Sequence, residues 1–352
     1  MKDRHILIVG GGLAGIAVAF ELLKKNYQIT LIDKGVNYSS KIAAGMINPL
    51  VFRRMTKSWR VDEFIPYLNT FYKDVETLTG KPFHHPIKIR RMFSSQQERE
   101  FWEKKQDLPD FKSYMEHLTE DDNHFSGAIN SYGSGRVKQA SYIDTHIFLS
   151  ASKTYLSKHV NWVEEEFEYS ALNHSVYKDI SFDDIVFCEG YLGCNNPYFN
   201  RLPLHQTKGE TLLIRSKTLP EDQSVNRKCF VLPLGNQTFK IGSTYIWNTI
   251  NPSPTEEGKT TLLKNLSFLT EENVEILEHE GGVRPTTDDR RPLIGTHETH
   301  KNYHIFNGLG TKGYMIAPLL AKEFVNYLSK EGDLHPETKI SRFNKATNAT
   351  DA

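Results

Sequence analysis

Cysteine is scarce in this chain: of 352 residues only Cys188, Cys194 and Cys229 carry thiols. An odd number with no C-x-x-C spacing does not make a disulfide scaffold and offers neither a redox motif nor a structural zinc site. The thiols are therefore expected to be reduced and the chain cytoplasmic. Net charge is also missing, since 43 Lys and Arg balance 43 Asp and Glu, so no global field attracts nucleic acid or an anionic membrane. No hydrophobic run is long enough for a bilayer: the uncharged stretch from Ile6 to Phe20 is short and is broken by Gly10, Gly11 and Gly12. No membrane partner is expected. The adjacent His84 and His85 have no companion ligands at useful spacing, so no metal site is expected. Internal repeats and low-complexity tracts are absent, and the length is sufficient to enclose a cofactor.

The most informative residues open the chain. Arg4 to Val9 (RHILIV) is an apolar run of strand length, GGGLAG follows, an amphipathic segment runs to Lys25, and Gln28 to Ile32 (QITLI) is a second apolar run. Strand, glycine turn, helix and strand make a βαβ unit. Within it, Gly10-x-Gly12-x-x-Gly15 lies between strand and helix, and Asp33 ends the second strand about twenty residues further on. Gly10 permits the tight turn, Gly12 the approach of a pyrophosphate, and Gly15 close packing of helix on sheet. The free N–H groups at the helix start favour phosphate. Asp33 can accept hydrogen bonds from a ribose diol and repels a 2′-phosphate. The nucleotide-contact candidates are Gly10, Gly12, Leu13, Ala14, Gly15, Asp33 and Lys34.

A second glycine pattern, Gly308-x-Gly310-x-x-Gly313, also joins a strand (Tyr303 to Phe306) to a helical segment (Tyr314 to Lys330). No second strand with an acidic residue follows, so it is not a second dinucleotide site. A helix N-terminus flanked by Thr311 and Lys312 can instead face an electron-rich ring and stabilise negative charge there. Between the two patterns, the region from about Lys81 to Gln139 is charged and mixed, with a helix-like stretch from Gln96 to Lys105. Apolar runs return at Asp184–Phe187 and Thr211–Ile214. They recur at Phe230–Pro233 and Thr238–Ile241 about a hairpin turn, Leu234-Gly235-Asn236-Gln237. That pair points to an antiparallel sheet set into the α/β body. From Gly332 onward the chain is polar and aperiodic, and residues 336–352 are expected to form a flexible tail.

These residues resemble the D-amino-acid oxidase family of flavoproteins, which includes glycine oxidase and sarcosine oxidase. Besides the N-terminal fingerprint, Ser39 to Met46 (SSKIAAGM) is similar to the family's small-residue segment along the flavin. Val186 to Gly190 and Lys208-Gly209-Glu210 match in order. Gly281 to Gly295 (GGVRPTTDDRRPLIG) resembles the signature before the last strand, and Asn307 to Ala321 (NGLGTKGYMIAPLLA) the helix placed at the flavin's pyrimidine carbonyl. The resemblance implies non-covalent FAD and an α/β fold with an α+β part: a Rossmann-type FAD-binding domain plus an antiparallel-sheet substrate domain. The FAD domain is expected at 1–80, 135–200 and 278–335, the substrate domain at 81–134 and 201–277.

The resemblance also assigns roles. Ala43, Ala44, Gly45, Met46, Glu189, Gly190, Gly310, Thr311, Lys312, Gly313 and Tyr314 would contact FAD, and the backbone of Phe167 would meet the adenine. Arg284 stands at the family's substrate-carboxylate arginine, a role its rigid, permanently charged guanidinium suits. Lys240 stands where sarcosine oxidase has a lysine that assists oxygen. Gly282 replaces the cysteine that binds flavin covalently there, and Phe230 replaces a tyrosine hydroxyl used by glycine oxidase. The expected reaction is oxidation of a carbon–nitrogen bond in a small amino acid or secondary amine bearing a carboxylate. The alternatives are removal of carboxymethyl from a modified tRNA wobble uridine, for which Arg53 to Arg60 (RRMTKSWR) is the candidate RNA contact, and a dehydrogenase serving an acceptor other than oxygen.

Overall fold

The computed structural model describes residues 4–35, 38–247 and 249–343. The expected βαβ opening is present. Strand His5–Val9 leads through the glycine turn into helix Leu13–Lys24 and out to strand Gln28–Ile32, which pairs with the first strand in parallel. Three more strands extend this pair in parallel: Asn161–Val163 on one side, then Asp184–Phe187 and Tyr303–Asn307 on the other. Leu293–Thr296 closes the six-stranded sheet antiparallel.

Both faces of this sheet are covered, as near-continuous apolar strands require. Ile6 and Ile8 face a core built with helices Leu13–Lys24, Val61–Thr79, Thr145–Leu156 and Gly313–Leu328. Leu7, Val9, Ile185 and Phe187 face the opposite core, closed by Leu172 and Tyr177 of a small three-stranded sheet. Alternation along a single strand thus sorts its residues into two cores.

The second large sheet has eight strands. Leu204–Arg215 is its spine, with Glu275–Thr287 paired along one edge and Thr238–Gly242 and Ile246–Trp247 on the other. Phe230–Gly235, Gln223–Asn226, Lys88–Met92 and Ser134–Val137 continue the sheet. Its pairings are antiparallel except that of Gln223–Asn226 with Lys88–Met92, which is parallel. The hairpin expected at Leu234 to Gln237 joins Phe230–Gly235 to Thr238–Gly242. Two strands cross the expected domain divisions: Ser134–Val137 spans 134/135, and Glu275–Thr287 spans 277/278.

The tail departs from expectation. The backbone N–H of Ile294 donates to Thr338 O at 2.9 Å, Thr338 is buried, and Ile340 packs against the core that holds Phe187. Residues 336–343 are therefore anchored on strand Leu293–Thr296, and the remainder of the expected tail, 344–352, lies outside the described residues. Among the described residues, no helix is long and apolar enough to cross a membrane.

Candidate active site

One cavity of about 500 Å³ runs from the first glycine turn to the large sheet. Its nucleotide end is built by backbone constraints. Gly10 has φ +107°, and a Cβ there would lie 2.5 Å from Cys188 O; at Gly15 a Cβ would meet Gly10 O at 1.9 Å. Side chains are excluded at both positions, so strand, turn and helix close tightly and bring the helix start to the cavity. Gly15 lies behind the turn, whereas Gly10, Gly12, Leu13 and Ala14 line the wall. Asp33 Oδ1 accepts from the Gly11 N–H at 3.0 Å and Oδ2 from the Gly35 N–H at 3.1 Å. Each oxygen keeps a further lone pair for a diol. Lys34 lines the rim, bridged to Glu166 at 2.9 Å. Phe167 stacks on Tyr177 at 4.6 Å and also lines this end.

The middle of the cavity is walled by Ala43, Ala44, Gly45 and Met46, with Glu189 and Gly190 opposite. Gly45 has φ +64°, and a Cβ there would lie 2.0 Å from Ile143 O. Glu189 accepts from the Tyr169 hydroxyl and, at 2.8 Å, from Asn196 Nδ2. Burial pushes its carboxyl pKa up, and these two donors oppose that shift.

A second helix points its N-terminus into the same space. Gly310, Thr311, Lys312, Gly313 and Tyr314 line the cavity at the start of helix Gly313–Leu328. A Cβ on Gly313 would approach Leu13 Cδ2 to 3.0 Å, so the two helix starts nearly touch. Lys312 Nζ donates to Asn48 O at 2.8 Å and to the Ser58 hydroxyl. With no carboxylate beside it among the described residues, burial lowers its pKa to about 8. Tyr314 is fixed at both ends, its hydroxyl donating to Ser40 O and its carbonyl accepting from Tyr72.

The far end is the open face of the large sheet. Gly209, Thr211, Phe230, Gly282 and Arg284 line it together. Arg284 lies across Gly209 so closely that a Cβ on that glycine would sit 1.9 Å from Nη2. Nη2 donates to Ser243 Oγ at 2.8 Å, Nη1 reaches Thr244 O at 3.5 Å, and the guanidinium stands 5.8 Å from the Tyr245 ring. No carboxylate pairs with Arg284 among the described residues. Burial lowers its pKa, with Tyr245 opposing. Asn226, whose Oδ1 accepts from Arg91 at 2.8 Å, also lines the cavity.

The expected residues line this cavity with two exceptions, Gly15 behind the first turn and Lys240. Lys240 is buried outside the cavity lining, paired with Glu280 at 3.3 Å. Its alternation places it on the cavity side of the sheet but one row beyond Thr211 and Gly242, opposite Leu213 and Leu232. Residue type and sequence motif missed Asn48, Tyr169, Thr211 and Asn226, and Ser40 stood inside a recognised segment without a role of its own. Gly209 stood inside a recognised motif without a role, and only its contact with Arg284 supplies one. Two of the four cations in the basic segment Arg53 to Arg60 are paired, Lys57 with Asp62 at 2.6 Å and Arg60 with Glu63 and Glu323, while Arg53 and Arg54 are exposed.

The donor set fits a flavin dinucleotide: two helix starts for charge, Asp33 for a ribose, small residues along a flat wall, and an unpaired guanidinium beyond. Relatives agree. The chain is 21% identical over 348 residues to glycine oxidase of Bacillus subtilis (strain 168), covering 90% of each chain. It is 21% identical over 304 residues to the tRNA 5-methylaminomethyl-2-thiouridine biosynthesis bifunctional protein MnmC of Campylobacter concisus, matching 84% of this chain but 47% of that protein's length. The crystal structure of iminodiacetate oxidase from Chelativorans sp. BNC1 superposes with a TM-score of 0.78 at 15% identity, over 94% of this chain and 97% of that one. The model of the family described as FAD dependent oxidoreductase, DAO, matches residues 5–327, and the chain is a member of that family.

Proposed function

We propose that this enzyme oxidises the carbon–nitrogen bond of a small amino acid or secondary amine carrying a carboxylate, using non-covalently bound FAD. The observation that carries the reading is Arg284. A half-buried guanidinium bonded only to neutral oxygens leaves its charge without a partner, and a carboxylate meets it with two charge-assisted hydrogen bonds. The relatives named glycine oxidase and iminodiacetate oxidase point the same way.

When bound, FAD would supply a two-electron acceptor for oxidation of the carbon–nitrogen bond. The chain's own tasks are binding, orientation and charge. Gly10, Gly12, Leu13 and Ala14 cradle the pyrophosphate at a helix start, and Asp33 holds the ribose. Ala43 to Met46, which line the middle of the cavity, would flank the ring system. Lys312 and the start of helix Gly313–Leu328 place positive charge where negative charge grows. Arg284 fixes the substrate by its carboxylate so that the carbon–nitrogen bond faces the flavin. Gly282 presents no nucleophile for a covalent link. The cysteines are free thiols, which suits the cytoplasm, where we place the enzyme.

The test is anaerobic bleaching of the flavin's visible band by glycine, sarcosine, proline, D-amino acids and tRNA carrying the modified wobble base, added one at a time. Bleaching by a free amine that bears a carboxylate is expected. Bleaching by the tRNA alone would reverse the assignment.

A further inference from the structure

We propose that the Thr211 hydroxyl is a second substrate anchor, donating a hydrogen bond to the carboxylate held by Arg284; this rests on the carboxylate reading above. Thr211 is only 4% exposed, its Oγ1 has no partner among the described residues, and it lines the cavity. A buried hydroxyl without a partner is disfavoured unless a ligand completes it.

The strand register defines its surroundings. Glu280, Thr211, Gly242, Phe230 and Asn226 form one row across five strands. Glu280 is taken up by Lys240, and the Phe230 ring overlies Gly242, with Phe230 Cζ 2.9 Å from where a Cβ would sit. Thr211 Cγ2 is also 2.9 Å from that point, so the methyl, not the hydroxyl, faces Gly242. The phenyl ring has no polar atom to offer. Along the spine strand, Gly209 is the preceding residue on the same face, about 7 Å away, and the Arg284 guanidinium lies directly over it. Two hydrogen bonds of about 2.8 Å and the width of a carboxylate bridge such a gap. Arg284 and Thr211 thus form the two sides of a carboxylate seat in which Phe230 contributes only an apolar wall.

The test uses the FAD-loaded protein and acetate, a monocarboxylate with no other polar group, with binding read from the shift of the flavin's visible band. Thr211→Val removes the hydroxyl at nearly constant shape, and Thr211→Ser retains it. Flavin content and melting temperature of each variant report on folding. Thr211→Val is expected to raise the Kd about tenfold or more, with Thr211→Ser within about threefold of the unsubstituted protein. If Arg284→Met weakens acetate while Thr211→Val does not, the Thr211 anchor is wrong and the Arg284 reading stands. Equal weakening by Thr211→Val and Thr211→Ser assigns the effect to shape and overturns the anchor. If Arg284→Met has no effect either, the carboxylate reading itself fails.

Discussion

Gly209→Ala isolates the role of Arg284 without touching Arg284. Gly209 lies within strand Leu204–Arg215 and is not among the glycines with left-handed backbone, so alanine suits its local conformation. The added Cβ would stand 1.9 Å from Nη2 and 2.2 Å from both Cζ and Nη1 of Arg284, far inside van der Waals contact. The end of an arginine can move, and the guanidinium is expected to leave the surface of the strand and lose its 2.8 Å bond to Ser243. A bidentate, charge-assisted carboxylate contact of about 3 kcal/mol would go with it, on the order of a hundredfold in kcat/KM. FAD binding, supported at the other end of the cavity, should persist. The assay is single-turnover anaerobic flavin reduction over a range of substrate concentrations, alongside the flavin spectrum. Because both changes remove one contact, Gly209→Ala with Arg284→Met should be hardly worse than Arg284→Met alone. A Gly209→Ala enzyme within threefold of the unsubstituted one, or full additivity in the double variant, would refute the reasoning.

Other consequences are equally specific. Gly15→Ala places a Cβ 1.9 Å from Gly10 O and should yield protein with little bound FAD, measured as the ratio of visible to ultraviolet absorbance. Lys240→Met removes a buried ion-pair partner outside the cavity lining. Anaerobic reduction and reoxidation in air should be unchanged, while the melting temperature falls because Glu280 is left unpaired. Lys312 in FAD-free protein has its pKa lowered from 10.5 to about 8 by burial. The folded form therefore binds fewer protons than the unfolded form between those values. Stability should rise with pH across that window, by up to about 3 kcal/mol relative to Lys312→Met, as followed by urea midpoints.

The parts of the fold that were legible in the sequence are those fixed by short-range chemistry. The glycine turn, its flanking strands and Asp33 obey constraints satisfied within about thirty residues, and strand Gln28–Ile32 and helix Gln96–Lys105 have the limits expected. Long-range pairing was not legible. The parallel pairing of Lys88–Met92 with Gln223–Asn226 joins segments far apart in the chain, and residues 336–343 are ordered by strand Leu293–Thr296 rather than by any periodicity of their own. The site divides in the same way. Arg284 and the two glycine patterns carried local signatures. Gly209 and Thr211 acquire meaning only from the register of the spine strand. Lys240 had the right charge on the right face, but Glu280, fixed by the pairing of Glu275–Thr287, claims it.

Recognition of the substrate's carboxylate rests on one unpaired guanidinium, that of Arg284. The direct measurement compares anaerobic flavin reduction by sarcosine, or whichever carboxylate-bearing amine reacts fastest, with reduction by the same amine lacking the carboxylate, in the unsubstituted enzyme and in Arg284→Met. A preference of on the order of a hundredfold for the carboxylate is expected in the first and should collapse in the second, through slower reaction of the carboxylate substrate while FAD stays bound. A preference that survives the loss of Arg284 would contradict the account.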